Sequence, residues 1–368
     1  MGDTRGALLD ALEDGPVAGP ALAEELGVSR AAVWQQVEAL REEGLAIEST
    51  DEGHAVTNIP EFGGAGIEFG LDAPFEIEYH DSIASTNDRA SERASAGAGE
   101  LAVVADEQTA GKGRLERGWS GPPGGIYCSL VIRPDRPPAH APIYTLAAAV
   151  AVTRAAREAG VDAVIKWPND VLVSGAGPEV PLEAGGGAAA DAANESQSDG
   201  TSDDVLVVDA DADRGGRKLC GILTEMEGQA DRVAWLVVGI GVNANIDVDE
   251  SLRLSSANQK SSISGDAAAL PAGATSLQAA RGKPVERRLF LQRLLEEFDQ
   301  LRNDPDSVLD AWREHAATLG QRVRVETPGG EVVGEAVDVE FPGALVVETD
   351  DGDRKRVTAG DCEHLRPI

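Results

Sequence analysis

The chain has 368 residues, with 32 Lys and Arg against 64 Asp and Glu, a formal net charge of −32; six of the cations are Lys and 26 are Arg. That length allows two or three domains with a sizeable core, and the charge excludes gripping nucleic acid by bulk attraction. An acid-rich, Lys-poor surface predicts a halophilic protein, kept soluble in high salt.

The N-terminus, "MGDTRGALLDALEDGP", lacks a basic region followed by an apolar run, so no signal peptide is predicted. Residues 1–60 read as a small helical unit followed by a hairpin. In "PALAEELGVSRAAVWQQVEALREEGL" the apolar residues Leu22, Leu26, Val28, Ala32, Val33, Val37 and Leu40 recur at helical spacing on either side of Gly27. Ser29 is placed to cap the second helix and Gly44 to stop it. "LAIESTDEGHAVTN" then alternates like two strands turning at Asp51-Glu52-Gly53. Two helices and a hairpin make the winged helix-turn-helix pattern, whose second helix presents Ser29, Arg30, Gln35 and Gln36 to DNA. The opposing observation is electrostatic, since residues 1–60 carry three Arg, no Lys and twelve acids.

"IPEFGGAGIEFGLDAP" reads as a linker over 61–74, and residues 75–316 as one α+β domain with a mixed sheet. "GELAVVADEQ", "GGIYCSLVIRP", "DAVIKW", "DVLV", "LCGILTEMEG" and "VAWLVVGIGVNA" are strand candidates. The longest apolar run, "YTLAAAVAVTRAA", is interrupted by Arg154 and predicts a buried amphipathic helix, not a membrane span. Two low-complexity insertions, 174–216 and about 250–284, interrupt the domain; the first is predicted to be mobile and dispensable. "ERRLFLQRLLEEFDQLRND" predicts a surface helix. Residues 317–368 alternate in short strands broken by Pro-Gly and Asp-Gly turns, which predicts a small SH3-like β-barrel. Cys128, Cys220 and Cys362 lie far apart, which argues against a disulfide framework or zinc site and fits the cytoplasm.

Four stretches carry chemistry. "EQTAGKGRLERGW" gathers Gly111, Lys112, Gly113, Arg114 and Arg117 on one loop, expected to be too glycine-rich for regular structure. Backbone N–H groups there can approach an anion that the cations neutralise. The pattern is neither a P-loop nor a dinucleotide fingerprint. "IKWPND" displays Lys166, Asn169 and Asp170 at a strand end, "RKLCGIL" puts Lys218 before a strand containing Gly221, and "GIGVNAN" ends a strand at Asn243. Singly, each could be a polar strand end facing water. Together they hold three of the six Lys.

"STN" (85–87), "QTAGKGRLERGW" (108–119), "KWPND" (166–170), "KLCGIL" (218–223) and "GIGVN" (239–243) resemble, in order and wording, the biotin–protein ligases. The helix-turn-helix in front and small barrel behind resemble the bifunctional type, which is also the biotin operon repressor. The resemblance implies formation of biotinyl-5′-AMP from biotin, ATP and Mg²⁺, then transfer to a lysine of a biotin carboxyl carrier protein. It implies biotin contacts at Ser85, Thr86, Asn87, Gln108, Gly111, Lys112, Gly113, Arg114, Lys218, Gly221 and Leu223. Adenylate contacts would be Arg114, Arg117, Trp119, Asn169 and Asn243, and the catalytic group Lys218, Arg114, Asp170 and Lys166. Operator DNA is the partner expected of the helix-turn-helix pattern, and a possible homodimer follows from the resemblance alone. Two departures stand in the loop: Lys112 replaces an Arg, and Glu116 stands where Gly is usual. The alternatives are a lipoate-type acyl-carrier ligase, and a ligand-sensing repressor without catalysis.

Overall fold

The computed structural model describes residues 2–13, 15–114, 118–174, 216–229, 232–248 and 273–365. Arg117 and Glu116, nearly all of the 174–216 insertion, and residues 249–272 lie outside them.

The N-terminal unit is a winged helix-turn-helix: α1 (Gly2–Glu13), α2 (Gly19–Glu25), α3 (Arg30–Glu42) and a hairpin of β1 (Ala46–Thr50) with β2 (Gly53–Asn58). Ser29 caps α3 by accepting from the Ala32 amide at 3.2 Å. Gly44 ends the helix at φ 99°, a backbone region that L side chains avoid. Leu22, Val33, Val37 and Leu40 are buried as their periodicity requires, against Leu8, Leu9 and Leu12 of α1.

The span read as a linker is packed. It contains α4 (Gly64–Glu68), whose Ala65 joins the small N-terminal core while Ile67 joins the main one. Arg5 reaches Glu43 and Glu68, each at 2.6 Å. Arg287 ties Glu61 at 2.7 Å and also pairs with Asp106.

The central unit is built on an eight-stranded mixed sheet of β3 (Glu76–Ile83), β4 (Leu101–Lys112), β5 (Gly118–Gly121), β6 (Ile126–Ile132), β7 (Ala163–Lys166), β8 (Asp170–Val173), β9 (Arg217–Gln229) and β10 (Arg232–Val242). The order is β3-β4-β6-β10-β9-β8-β7, with β5 on β4; the β3–β4 pair is parallel and every other pair antiparallel. Successive residues of β4 serve opposite faces, as the pleat demands. Ala102 and Val104 join the main core, whereas Leu101 and Val103 pack with Ala90 and Ala94 of α5 (Thr86–Ser95). The main core lies under α6 (Pro142–Glu158), α8 (Arg287–Asn303) and α9 (Pro305–His315). Helix α7 (Leu277–Arg281) lies before α8.

Two expectations change. The glycine-rich stretch is not without regular structure, because β4 continues through Lys112 and pairs with β5, with Gly111 opposite Trp119. The second insertion ends earlier than composition suggests. Residues 274–277 are buried, and the backbone of Lys218 is bonded on both sides to this segment: its N–H donates to Gly273 O at 2.8 Å and its carbonyl accepts from Thr275 N at 2.9 Å. Small residues read as low complexity here because their partners lie far off in sequence.

The C-terminal unit is a five-stranded antiparallel sheet of β11 (Arg322–Thr327), β12 (Gly330–Glu340), β13 (Ala344–Glu348), β14 (Arg354–Val357) and β15 (Asp361–His364), ordered β14-β13-β12-β11-β15. Trp167, buried at the end of β7, fastens it by donating from Nε1 to Gly343 O at 3.0 Å and from its amide to Thr318 Oγ1 at 2.9 Å.

Candidate active site

A cleft of about 730 Å³ opens where α5 and the ends of β4, β8, β9 and β10 meet the C-terminal sheet. Its floor is glycine by necessity. A Cβ at Gly221 would lie 2.8 Å, and one at Gly241 2.9 Å, from the Trp119 ring that rests on them. Only a bare backbone lets a flat ring, or a ligand, approach the sheet so closely.

One end of the cleft is neutral and polar. Ser85 caps α5 by accepting from Asp88 N at 3.3 Å, so Thr86 and Asn87 stand in its first turn. Gln108 Oε1 accepts from the Thr86 amide at 2.8 Å and from its hydroxyl at 3.0 Å. Ser129, on β6, places its hydroxyl 2.8 Å from Thr86 Oγ1 and 2.6 Å from Asn87 Oδ1.

The other end is charged. Lys218 Nζ is 2.7 Å from Asp170 Oδ1, an ion pair outside hydrogen-bonding alignment, and 5.4 Å from the Trp119 ring centroid. Arg114 donates to Asn169 Oδ1 at 2.9 Å and to Gly360 O at 2.5 Å, joining the loop to both the central and C-terminal units. Lys166 closes this end from β7, buried beside Cys362 and His364. Lys112 lies instead on the α5 side of the cleft, where it pairs with Asp88 at 2.6 Å, and that bond holds its ammonium above the ordinary range. Burial, reinforced by the charge of Lys166, pushes His364 down to about 4, so it is neutral at pH 7. Burial raises the thiols of Cys128, Cys220 and Cys362, which removes them as nucleophiles.

The cleft thus brings together Ser85, Thr86, Asn87, Gln108, Lys112, Gly113, Arg114, Trp119, Lys166, Asn169, Asp170, Lys218, Gly221 and Leu223. Gly111 lies outside the lining, where a Cβ would stand 2.7 Å from Trp119 O. Asn243 also lies behind the wall, donating from Nδ2 to Thr275 O at 2.9 Å. Ser29, Arg30 and Gln35 are exposed on the reader unit and Gln36 half-exposed. Sequence reasoning misses Ser129, inside an ordinary-looking strand, and the wall from Gly360 to Leu365; nothing local marks either. It also misses Trp34, 57% exposed on α3.

A deep cleft with a neutral hydrogen-bonding end and a cationic end suits joining a carboxylate to a phosphate. That defines the class as an acid-activating ligase with an attached DNA-reader fold. Residues 79–243 match the biotin/lipoate A/B protein ligase family, 318–365 the biotin protein ligase C-terminal domain and 7–54 a helix-turn-helix domain. The chain is 32% identical to the bifunctional ligase/repressor BirA of Bacillus subtilis over 94% of its own length and 93% of that protein. It is 29% identical to the biotin–[acetyl-CoA-carboxylase] ligase of Mycobacterium tuberculosis over 77% of this chain and 86% of that one. The biotin protein ligase of Aquifex aeolicus in complex with biotin and ATP superposes with a TM-score of 0.53 at 20% identity, covering 78% of this chain and 99% of that chain. The chain belongs to the family of bifunctional biotin ligase/repressors.

Proposed function

We propose that the protein condenses biotin with ATP to biotinyl-5′-AMP, passes the biotinyl group to a lysine of a biotin carboxyl carrier protein, and represses transcription in response to biotin. The observation that carries the ligase reading is the meeting of Lys218, Arg114 and Asp170 at one end of a cleft whose other end is neutral and polar.

Bringing a carboxylate to an α-phosphate sets two anions together, so nearby cations offset their repulsion and the charge of the transition state. Lys218 and Arg114 supply that charge, with Lys166 at the cleft's edge. Mg²⁺ enters as the counter-ion of the triphosphate. On this reading Trp119 and Asn169 serve the adenine side, Arg117 is an adenylate contact by resemblance alone, and Asn243 acts from behind the wall through Thr275; Gly111, Lys112 and Gly113 belong to the segment that covers the mixed anhydride and keeps water from it. In the transfer step the acceptor amine must be neutral. Asp170 takes or orients its proton once the ligand competes for Lys218.

The reader helix α3, with Ser29, Arg30, Gln35 and Gln36, faces operator DNA, and biotin-linked homodimerisation would double the contact. The units on this reading are residues 1–60, 61–74, 75–316 and 317–368. The protein works in the cytoplasm at high salt. Biotin-dependent exchange of labelled pyrophosphate into ATP tests the ligase half; exchange with lipoate in place of biotin would favour the lipoate alternative, and no exchange at any salt concentration would refute catalysis. A gel shift with and without biotin and ATP tests repression.

A further inference from the structure

Behind the neutral end of the cleft stands a carboxylate that none of the motifs above contains. Glu225, on β9, accepts from Asn87 Nδ2 at 2.7 Å; the next contact of that nitrogen, to Leu223 O, is longer at 3.4 Å. The opposite end of the same amide, Oδ1, faces the Ser129 hydroxyl at 2.6 Å and the bare backbone of Gly239, where a Cβ would lie 2.0 Å away.

An Asn amide has a donor end and an acceptor end of nearly equal shape, so its partners decide which way it points. Ser129 does not decide it. A hydroxyl can donate to Oδ1 or accept from Nδ2 with little difference in geometry. A carboxylate accepts only, and its bond to N–H is charge-assisted. Glu225 therefore turns Nδ2 towards itself and leaves Oδ1 towards Ser129. Further along, Thr86 gives its hydroxyl proton to Gln108 Oε1, with the Ser129 hydroxyl 2.8 Å behind it. Gln108 Nε2 is then the donor end of the chain, and Asn87 Oδ1 with the hydroxyl lone pairs its acceptors. A cyclic urea has one carbonyl acceptor and two N–H donors, and needs that mixture. With Asn87 reversed, its own N–H would stand where an acceptor for a ring N–H of the urea is needed.

We propose that Glu225 is a positioning residue that fixes the orientation of the Asn87 amide and so makes the neutral end of the cleft complementary to a cyclic urea. The proposal rests on the biotin-ligase reading and assigns the group that sets its acid specificity. Glu225 also attracts Lys112 through space, which is a second route by which its loss could act.

The test is pyrophosphate exchange with biotin and with desthiobiotin, which keeps the urea ring and lacks the sulfur ring, in the wild type, E225L, E225Q, N87A and N87A/E225L. Losing a charge-assisted hydrogen bond predicts a KM for both acids raised roughly tenfold in E225L, with KM for ATP unchanged. E225Q, whose amide can accept from Nδ2 or donate to Oδ1 and so no longer decides the orientation, should raise the KM for both acids at least about threefold. In the N87A background, E225L should add little, because there is no amide left to orient. An unchanged biotin KM in E225L or in E225Q, an equal rise in the N87A background or a parallel rise in the KM for ATP would each overturn the proposal. Should E225L not fold, E225A carries the same expectations. Wild-type exchange separates the two levels: its absence removes the ligase reading and this inference with it, whereas its presence with an unaffected E225L removes this inference alone.

Discussion

The reader helix and the catalytic cleft are both assigned an anionic ligand, and they meet it with opposite means. In the N-terminal unit, two of three Arg are consumed by the fold: Arg5 by Glu43 and Glu68, and Arg41 by Glu38 and Ile47 O. Arg30 is exposed, beside Trp34 and Gln35. In the cleft, cations from β4, β7 and β9 converge with Arg324 of the C-terminal sheet. A small anion can be held by concentrating a few charges where water is scarce. A long polyanion offered so few free cations must be recognised by shape and by the edges of bases more than by phosphate attraction.

The largest effect that would sharpen this contrast is in the cleft. Lys218→Ala should lower adenylate formation by about two to three orders of magnitude, since the proposed function assigns that charge to the reacting phosphate. Steady-state kcat/KM for pyrophosphate exchange measures it, and undiminished activity would break the role given to Lys218.

A smaller effect belongs to the reader. Trp34→Ala should weaken binding to a duplex selected by the protein from a random pool roughly tenfold, the order of one lost base contact. The slope of log affinity against log salt should change little. Arg30→Ala should instead lower that slope by about one. Fluorescence anisotropy across a salt series separates the two, and a steep slope in the wild type would contradict the comparison.

The smallest concerns the wall between cleft and C-terminal sheet. His364 is depressed from the ordinary 6.5 to about 4, so between those values the unfolded chain binds the proton and the folded one does not. Unfolding free energy then rises with pH, and stability is lost as pH falls from 6.5 towards 4. His364→Gln should flatten that part of the Tm-against-pH curve.

Much of the fold is legible from local pattern. Helical periodicity with Ser29 and Gly44 at the ends marks α3, and the apolar runs of β6 and β10 mark buried strands whatever they pair with. The packed connector α4 escapes notice because "GGAGIE" is glycine-rich, and its burial depends on Arg5 and Arg287 from distant segments. Segment 273–277 escapes for the same reason: Ala, Thr and Ser there are chosen for tight fit against Lys218 and Asn243, and small residues carry no periodic signal. Asn243 lies in a motif, yet its side chain points to Thr275 and away from the cleft lining, which spacing along a strand does not reveal.

By itself the sequence determined which chemistry is present: three scarce lysines, a basic glycine segment and words matching one ligase family, all local properties of the chain. Tertiary structure alone decided which of those groups share a cleft, that Arg114 bridges to Gly360, and that Ser129 and Glu225 stand behind Asn87. The physical reason is that hydrogen bonds and ion pairs act over a few ångströms in space, between residues more than forty to more than two hundred positions apart.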